Sequence, residues 1–445
     1  MNRVPGVGIT WAIIGALFAA VLIAEKTYPG LVVEGLIVAG VLVANRYDRG
    51  RDFTHRLKLP VLAIMSAFIV GGVVLIVSDL EFYSKLSANP IGTLGASLQR
   101  VWEAYWALMK GAFGDPAKLA TAFASGDRNK IGTALRPISE TLLATTPLIL
   151  TGLGVAVAFR SGVFNIGAEG QLKMGAVFAC WVGIWVPAPF PIGLILALAA
   201  GVIGGGIWAF IPGFLKAKTG AHEVITTIML NAIAQQIMLA LLLTPILRPE
   251  DATTPISRDV LGSAQLPLLL AIPKVRVHWG IVIALVAAVL TSWLMFRTTR
   301  GFEFRAAGLN PRAAGYAGMR AGRTIILAMT VSGALAGIAG AVEVLGTTHY
   351  LSPGISPGYG WDAISLALLG GTRPFGVVIA AFVFGALRAG GQGMALATGV
   401  PIDLLGFISA LVIMFVAAPR LVREIYRIRI SSRAPKTPTV VETPI

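Results

Sequence analysis

Charge is what this sequence has least of: only 13% of its 445 residues are Asp, Glu, Lys or Arg, about half the share with which a soluble domain covers its wet surface. A water-exposed globule is therefore excluded. The single cysteine, Cys180, excludes an intramolecular disulfide framework and a multi-thiolate metal site on this chain. No G-x-x-x-x-G-K-[ST] loop occurs, so any ATP that powers the protein binds another chain. Strand-type alternation is also missing, which removes a β-barrel.

What is present is 56% hydrophobic and gathered into runs, many of the 17 to 25 residues, roughly, that cross a bilayer as a helix. They lie at Val7–Ala24, Leu31–Ala44, Pro60–Ser78, Pro137–Phe159, Leu172–Val186, Ile192–Leu215, Val224–Thr244, Trp279–Phe296, Thr324–Leu345, Trp361–Leu369, Phe375–Leu396 and Leu404–Ala418. The tenth is too short to cross. The pattern predicts an all-α, polytopic transmembrane bundle with broken or half-spanning helices. An N-terminal hairpin and basic loop fill 1–58, the core 59–430, and a Pro- and Thr-rich disordered tail 431–445.

The net charge of +15 is concentrated in Asn45–Leu59, Arg297–Arg323 and the tail from Arg420. By the positive-inside rule these face the cytoplasm. The segments 79–136 and 245–277 are then external, and the charge marks orientation rather than nucleic-acid binding. Within the first of them Leu98, Trp102, Tyr105, Trp106 and Met109 recur at helical spacing, as in a helix lying at the interface or one packed on the bundle.

Two catalytic patterns fail on inspection. Gly354–Gly358 reads G-x-S-x-G, but Pro357 supplies no N–H to an oxyanion hole, and the segment is a proline-glycine turn between apolar helices. His222-Glu223 opens an H-E-x-x-H zinc pattern that Thr226 breaks.

Other patterns hold. Arg160–Gln171, RSGVFNIGAEGQ, is a polar break between apolar helices, tolerated at membrane depth only where protein or a watery cavity satisfies it. Asn165, Glu169 and Gln171 are pathway candidates there; Glu169 equally suits a structural pair with Lys173 at i,i+4. Thr227, Asn231 and Gln235 share one helix face, lining a path or bonding a neighbouring helix. Gly333, Gly337 and Gly340, like Gly201 and Gly205, mark close helix packing. Glu303–Met319, EFRAAGLNPRAAGYAGM, reads as two short cytoplasmic helices hinged at Asn310-Pro311.

On these motifs the chain resembles the inner-membrane permeases of bacterial ABC importers of the ribose and branched-chain amino-acid type, nearest to nucleoside importer permeases. The resemblance rests on 146–176 (TPLILTGLGVAVAFRSGVFNIGAEGQLKMGA), GAFGDP from Gly111, GAHEVITTIMLN from Gly220, and GYGWDAISLALLGGTRPFG from Gly358. It covers roughly Leu59–Arg429; Met1–Lys58 departs from it. It implies alternating-access import of a nucleoside across the inner membrane, beside a second, paralogous permease. An external solute-binding lipoprotein delivers the solute, and a separate ATP-binding subunit hydrolyses ATP with Mg. This chain then has no cofactor and no catalytic residue, and its C-terminus is cytoplasmic. Glu303, Arg305, Gly308, Asn310, Ala313, Ala314 and Gly318 become candidate contacts with the ATPase. A simple sugar or other small solute is the alternative cargo, and an ion-coupled secondary transporter the alternative mechanism.

Overall fold

In a computed structural model the chain is described at 51–79, 82–84, 89–250, 253–401, 403–418 and 424–426. The N-terminal hairpin, up to residue 50, and the tail at 431–445 lie outside the described residues. The elements are helices, with no strand among the described residues: α1 Arg51–Val77, α2 Pro90–Phe113, α3 Pro116–Ser125, α4 Arg128–Arg160, α5 Ala168–Trp185, α6 Ile192–Thr219, α7 Glu223–Leu242, α8 Gly280–Arg297, α9 Thr299–Leu309, α10 Pro311–Tyr316, α11 Ala321–Val342, α12 Tyr359–Leu369, α13 Pro374–Thr398 and α14 Asp403–Ala417. A π-helical turn, Glu343–Thr348, prolongs α11. Six of the helices are long and apolar enough to cross a membrane: α4, α6, α7, α8, α11 with its π turn, and α13.

Contacts divide the chain into two units, 1–73 with 410–445, and 74–409. In the first, the Ser66 hydroxyl donates to the Leu62 carbonyl at 2.8 Å and lies 3.1 Å from the Tyr426 hydroxyl. The second unit holds α2 to α13.

Its axis is α4. Asp127 caps the start by accepting from the Asn129 N–H at 2.8 Å, and at 1.5 Å per residue the 33 residues of α4 run roughly 50 Å. Most of its apolar stretch is buried, with α8, α11, α12 and α13 packed on it. Pro147 removes one N–H from the ladder inside α4, and one turn on the Thr151 hydroxyl donates to the Pro147 carbonyl at 2.8 Å.

Beside it α5, α6 and α11 meet through glycines. A Cβ on Gly175 would overlap Gly337, one on Gly205 the Gly333 carbonyl, one on Gly337 the Gly201 carbonyl, and one on Gly340 the Leu172 carbonyl. Lipid offers no hydrophobic drive for helices to associate, so such close approach supplies the dispersion contact that does. The packing expected of both glycine runs is what the backbone shows.

α2 carries the aromatic pattern, and it packs through its small residues. Thr93, Ser97, Ala104, Ala107 and Ala112 are buried, Gly111 lies against Gly390 of α13, and Leu98, Trp106 and Met109 face outward. The Trp102 and Trp106 rings stack with centroids 6.1 Å apart.

The two ends of α4 are chemically distinct. At its start Arg128 donates to the Ala271 carbonyl at 2.7 Å, Lys274 to the Thr133 hydroxyl at 3.0 Å, and Arg276 clasps Glu140 at 3.1 and 2.9 Å. At its close Arg160 donates to the Thr372 hydroxyl at 3.3 Å, and Gly308 of α9 lies on the Arg160 carbonyl. The segments read as external thus share one end, and the α9–α10 elbow sits at the other.

His278, buried before α8, accepts the Gly280 N–H on Nδ1 at 3.0 Å, and its Nε2 faces the Thr347 hydroxyl at 3.2 Å. Burial, then the charges of His349 and Arg276, push it down to about 4. Protonation has to take the lone pair that caps α8. Because the unfolded imidazole binds its proton near pH 6.5, this part of the stability is whole above that pH and is lost as the pH falls towards 4, by about 3 kcal/mol at most. Melting of the detergent-solubilised protein should therefore shift down across that window, and His278→Asn should flatten the dependence.

Candidate functional site

The polar break after α4 folds around its own side chains. Asn165 and Gln171 form an amide pair, Asn165 Nδ2 to Gln171 Oε1 at 2.9 Å and Gln171 Nε2 to Asn165 Oδ1 at 3.0 Å. Asn165 also donates to the Ser332 hydroxyl of α11 at 2.8 Å and accepts the Gly167 N–H at 2.9 Å. From α7, Asn231 accepts the Gly170 N–H and donates to the Ile166 carbonyl, both at 2.8 Å. The Thr227 hydroxyl returns to the Glu223 carbonyl at 2.7 Å, while Gln235 is half-buried and makes no hydrogen bond among the described residues. The structure thus joins Asn165, Gln171 and Asn231 in one buried network, with Thr227 packed beside Gly167. It leaves Gln235 apart.

Glu169 does something different. One carboxylate oxygen takes the Lys173 ammonium at 3.0 Å; the other accepts the Ser356 hydroxyl at 2.9 Å and the Gly360 N–H at 3.0 Å. The first turns of α5 and α12 therefore meet, so closely that a Cβ on Gly360 would overlap the Glu169 backbone. An anion is stabilised at both helix starts, where unpaired N–H groups and the dipole favour negative charge. Ser356, the serine of the failed hydrolase pattern, also accepts the Tyr359 N–H at 3.1 Å. It satisfies the first N–H of α12, ahead of the N-cap Gly358.

Because α12 begins beside Thr151, well inside α4, and closes near Arg160, it is a half-helix reaching the elbow end from within the bundle. Its first turn carries a group that the sequence reading passed over. Arg388 of α13 donates through Nε and Nη2 to Asp362 Oδ2 at 3.1 and 2.7 Å and through Nη2 to the Pro357 carbonyl at 3.0 Å. Its guanidinium carbon lies 4.9 Å from the Tyr359 ring centroid. The signal was available: Asp362 and Arg388 are the charged residues inside two apolar runs, and charge at such depth marks function by default.

At the elbow the seven coupling candidates separate by burial. Ala314 and Phe304 are buried, and Gly308 touches the loop after α4. Asn310 caps α10 by accepting the Arg312 and Ala313 N–H groups at 3.1 Å each; Glu303 pairs with Arg300 at 2.9 Å. Arg305 lies over the Phe296 ring at 5.4 Å. Ala313 and Gly318 are exposed, as are two large residues that sequence reading missed, Leu309 at 89% and Tyr316 at 96%.

At the opposite end a cavity of about 800 Å³ lies among α2, α3 and the start of α4, ringed by Lys110, Lys118, Lys130 and Lys274 with Asp115.

Comparison with known proteins places this geometry. The family model described as branched-chain amino acid transport system, permease component, matches residues 138–417. The chain belongs to that permease family. It is 38% identical over 369 residues to a guanosine ABC transporter permease protein of Bacillus subtilis, covering 82% of this chain and 94% of the relative. A nucleoside ABC transporter permease protein of Lactococcus lactis is 36% identical over 301 residues, 64% of this chain and 80% of that one. A glucose ABC transporter permease protein of Haloferax volcanii is 32% identical over 384 residues, 84% and 90% of the two chains. No solved structure matches. Within this permease the half-helix α12, its Glu169 anchor and the α9–α10 elbow all lie inside the region that the family model covers.

Proposed function

We propose that this permease moves nucleosides inward across a bacterial cytoplasmic membrane as one of two membrane subunits of an ATP-driven importer. The observation that carries the reading is the 38% identity to a guanosine permease over 82% of the chain. The solute passes by alternating access, with the polar face of α7 and the break at Asn165–Gln171 beside its path and α12 closing part of it. The elbow, with Leu309 and Tyr316 outward, receives the ATP-binding subunit, which holds ATP and Mg. At the far end the four lysines favour the acidic surface of a solute-binding lipoprotein.

Reconstituted with these partners, the permease should take up guanosine only when ATP is present, with glucose unable to compete. Uptake of glucose and of no nucleoside would overturn the reading.

Orientation is tested separately. Cys180 is fully buried and gives no background to a membrane-impermeant maleimide. Lys274→Cys should label in intact cells, and Tyr316→Cys only after permeabilisation, as the basic loop at Arg297–Arg323 requires. The reverse pattern would invert the chain and remove the coupling role of the elbow.

A further inference from the structure

The Asp362–Arg388 pair sits where charge is hardest to keep. At 1.5 Å per residue Arg388 lies roughly 21 Å from the start of α13 and roughly 15 Å from its end, yet the Arg388 and Asp362 side chains keep 27% and 22% of their surface open. Both charges share one carboxylate oxygen, Oδ2. Asp362 Oδ1 and Arg388 Nη1 make no hydrogen bond among the described residues, so a two-proton donor stays unspent on the side of the guanidinium that faces away from Asp362. A pair serving only to fasten α12 to α13 would be expected to spend those atoms on each other in the bidentate fork that guanidinium and carboxylate favour. Flat surfaces flank it. The Tyr359 ring covers the guanidinium, Trp361 is 46% exposed, and Trp361 Cδ1 and Arg388 Nη2 both come within 4 Å of the point a Cβ on Gly358 would occupy. Gly358, with φ +94°, has a conformation that L side chains rarely adopt, and its bare backbone leaves the space between them open.

We propose that Trp361 and Arg388, the latter positioned by Asp362, form the substrate-contact site that reads the base of the nucleoside. Resting on the nucleoside reading above, this adds where the base is held and by what. A nucleobase carbonyl or ring nitrogen can accept from Arg388 Nη1, which Asp362 orients; its face stacks on an indole or a guanidinium plane, as bases do on aromatic and arginine surfaces. A simple sugar has hydroxyls for Arg388 but no planar π-face to stack on Trp361 or on the guanidinium. The site therefore separates nucleosides from sugars of equal polarity.

The test uses the assembled importer in proteoliposomes with 8-azidoguanosine as photolabel, beside tritiated guanosine uptake. Label is expected on α12 or α13, chased by unlabelled guanosine. Arg388→Lys and Trp361→Ala should each raise the apparent KM for guanosine at least tenfold, with the yield of assembled complex unchanged. Label confined to other helices would overturn the proposal. So would a KM within twofold of wild type in both variants, or a loss of uptake matched by loss of the second permease from the complex, which would make the patch a helix-packing surface. Wild-type vesicles that move no nucleoside would instead sink the underlying reading, a result visible before any variant is made.

Discussion

Glu169→Ala is expected to abolish transport and to lower stability by about 3–5 kcal/mol, the usual consequence of removing one partner of a buried charged pair. Glu169 is 3% exposed, and its loss strands the Lys173 ammonium, the Ser356 hydroxyl and the Gly360 N–H together. The Gly360 N–H, on a buried residue, cannot turn to water without separating α5 from α12. Glu169→Gln keeps an acceptor for Ser356 and Gly360 and gives up the charge opposite Lys173, so it should fold with a smaller loss. The pair of variants separates the two roles: if Gln transports as wild type does, the anchor is hydrogen bonding, and if it folds yet fails to transport, the Lys173 pair is part of the motion. Wild-type melting in Glu169→Ala would remove the anchor altogether. Yield, detergent melting and ATP-driven uptake measured on the same preparations decide among these.

Much of this arrangement was legible in the sequence because the bilayer imposes a period and a length. The run Trp361–Leu369, too short to cross, is the half-helix α12, and the glycines at 201, 205, 333, 337 and 340 are where three backbones meet. Less was legible where partners are far apart. Glu169 was weighed between pathway and the local Lys173 pair; the structure contains that pair and adds Ser356 and Gly360, 187 and 191 residues away, which no spacing rule reaches. α4 begins at Arg128, before the apolar run at Pro137, because its first turns lie among Ala271, Pro273 and Lys274 instead of lipid. Asp362 and Arg388 were missed for another reason. Each is a lone charge in an apolar run, and only their meeting across two helices gives them meaning. At the elbow, small residues alone did not tell which side is inward, since Gly308 and Ala313 look alike in sequence and one faces the bundle while the other faces out.

That distinction sets up the second large effect. Leu309→Asp with Tyr316→Asp should cut ATP-driven uptake and co-purification of the ATP-binding subunit at least tenfold, with membrane insertion and yield unchanged. Both side chains are almost wholly exposed, where substitutions usually move stability by about 0.5 kcal/mol or less, so the fold has little to lose. An apolar contact has more to lose. A large side chain left in water on both sides of Asn310, which caps α10, is an anchor of the type that dominates interfaces when it enters a partner pocket, and a carboxylate there would have to be stripped of water for the same contact to form. Gly308→Trp acts by another route, because even a Cβ at Gly308 overlaps the Arg160 carbonyl; it should lower the yield of folded permease before docking is reached. The double aspartate variant and Gly308→Trp therefore separate a docking defect from a folding defect. Uptake at the wild-type rate with both aspartates in place would move the coupling surface away from the elbow.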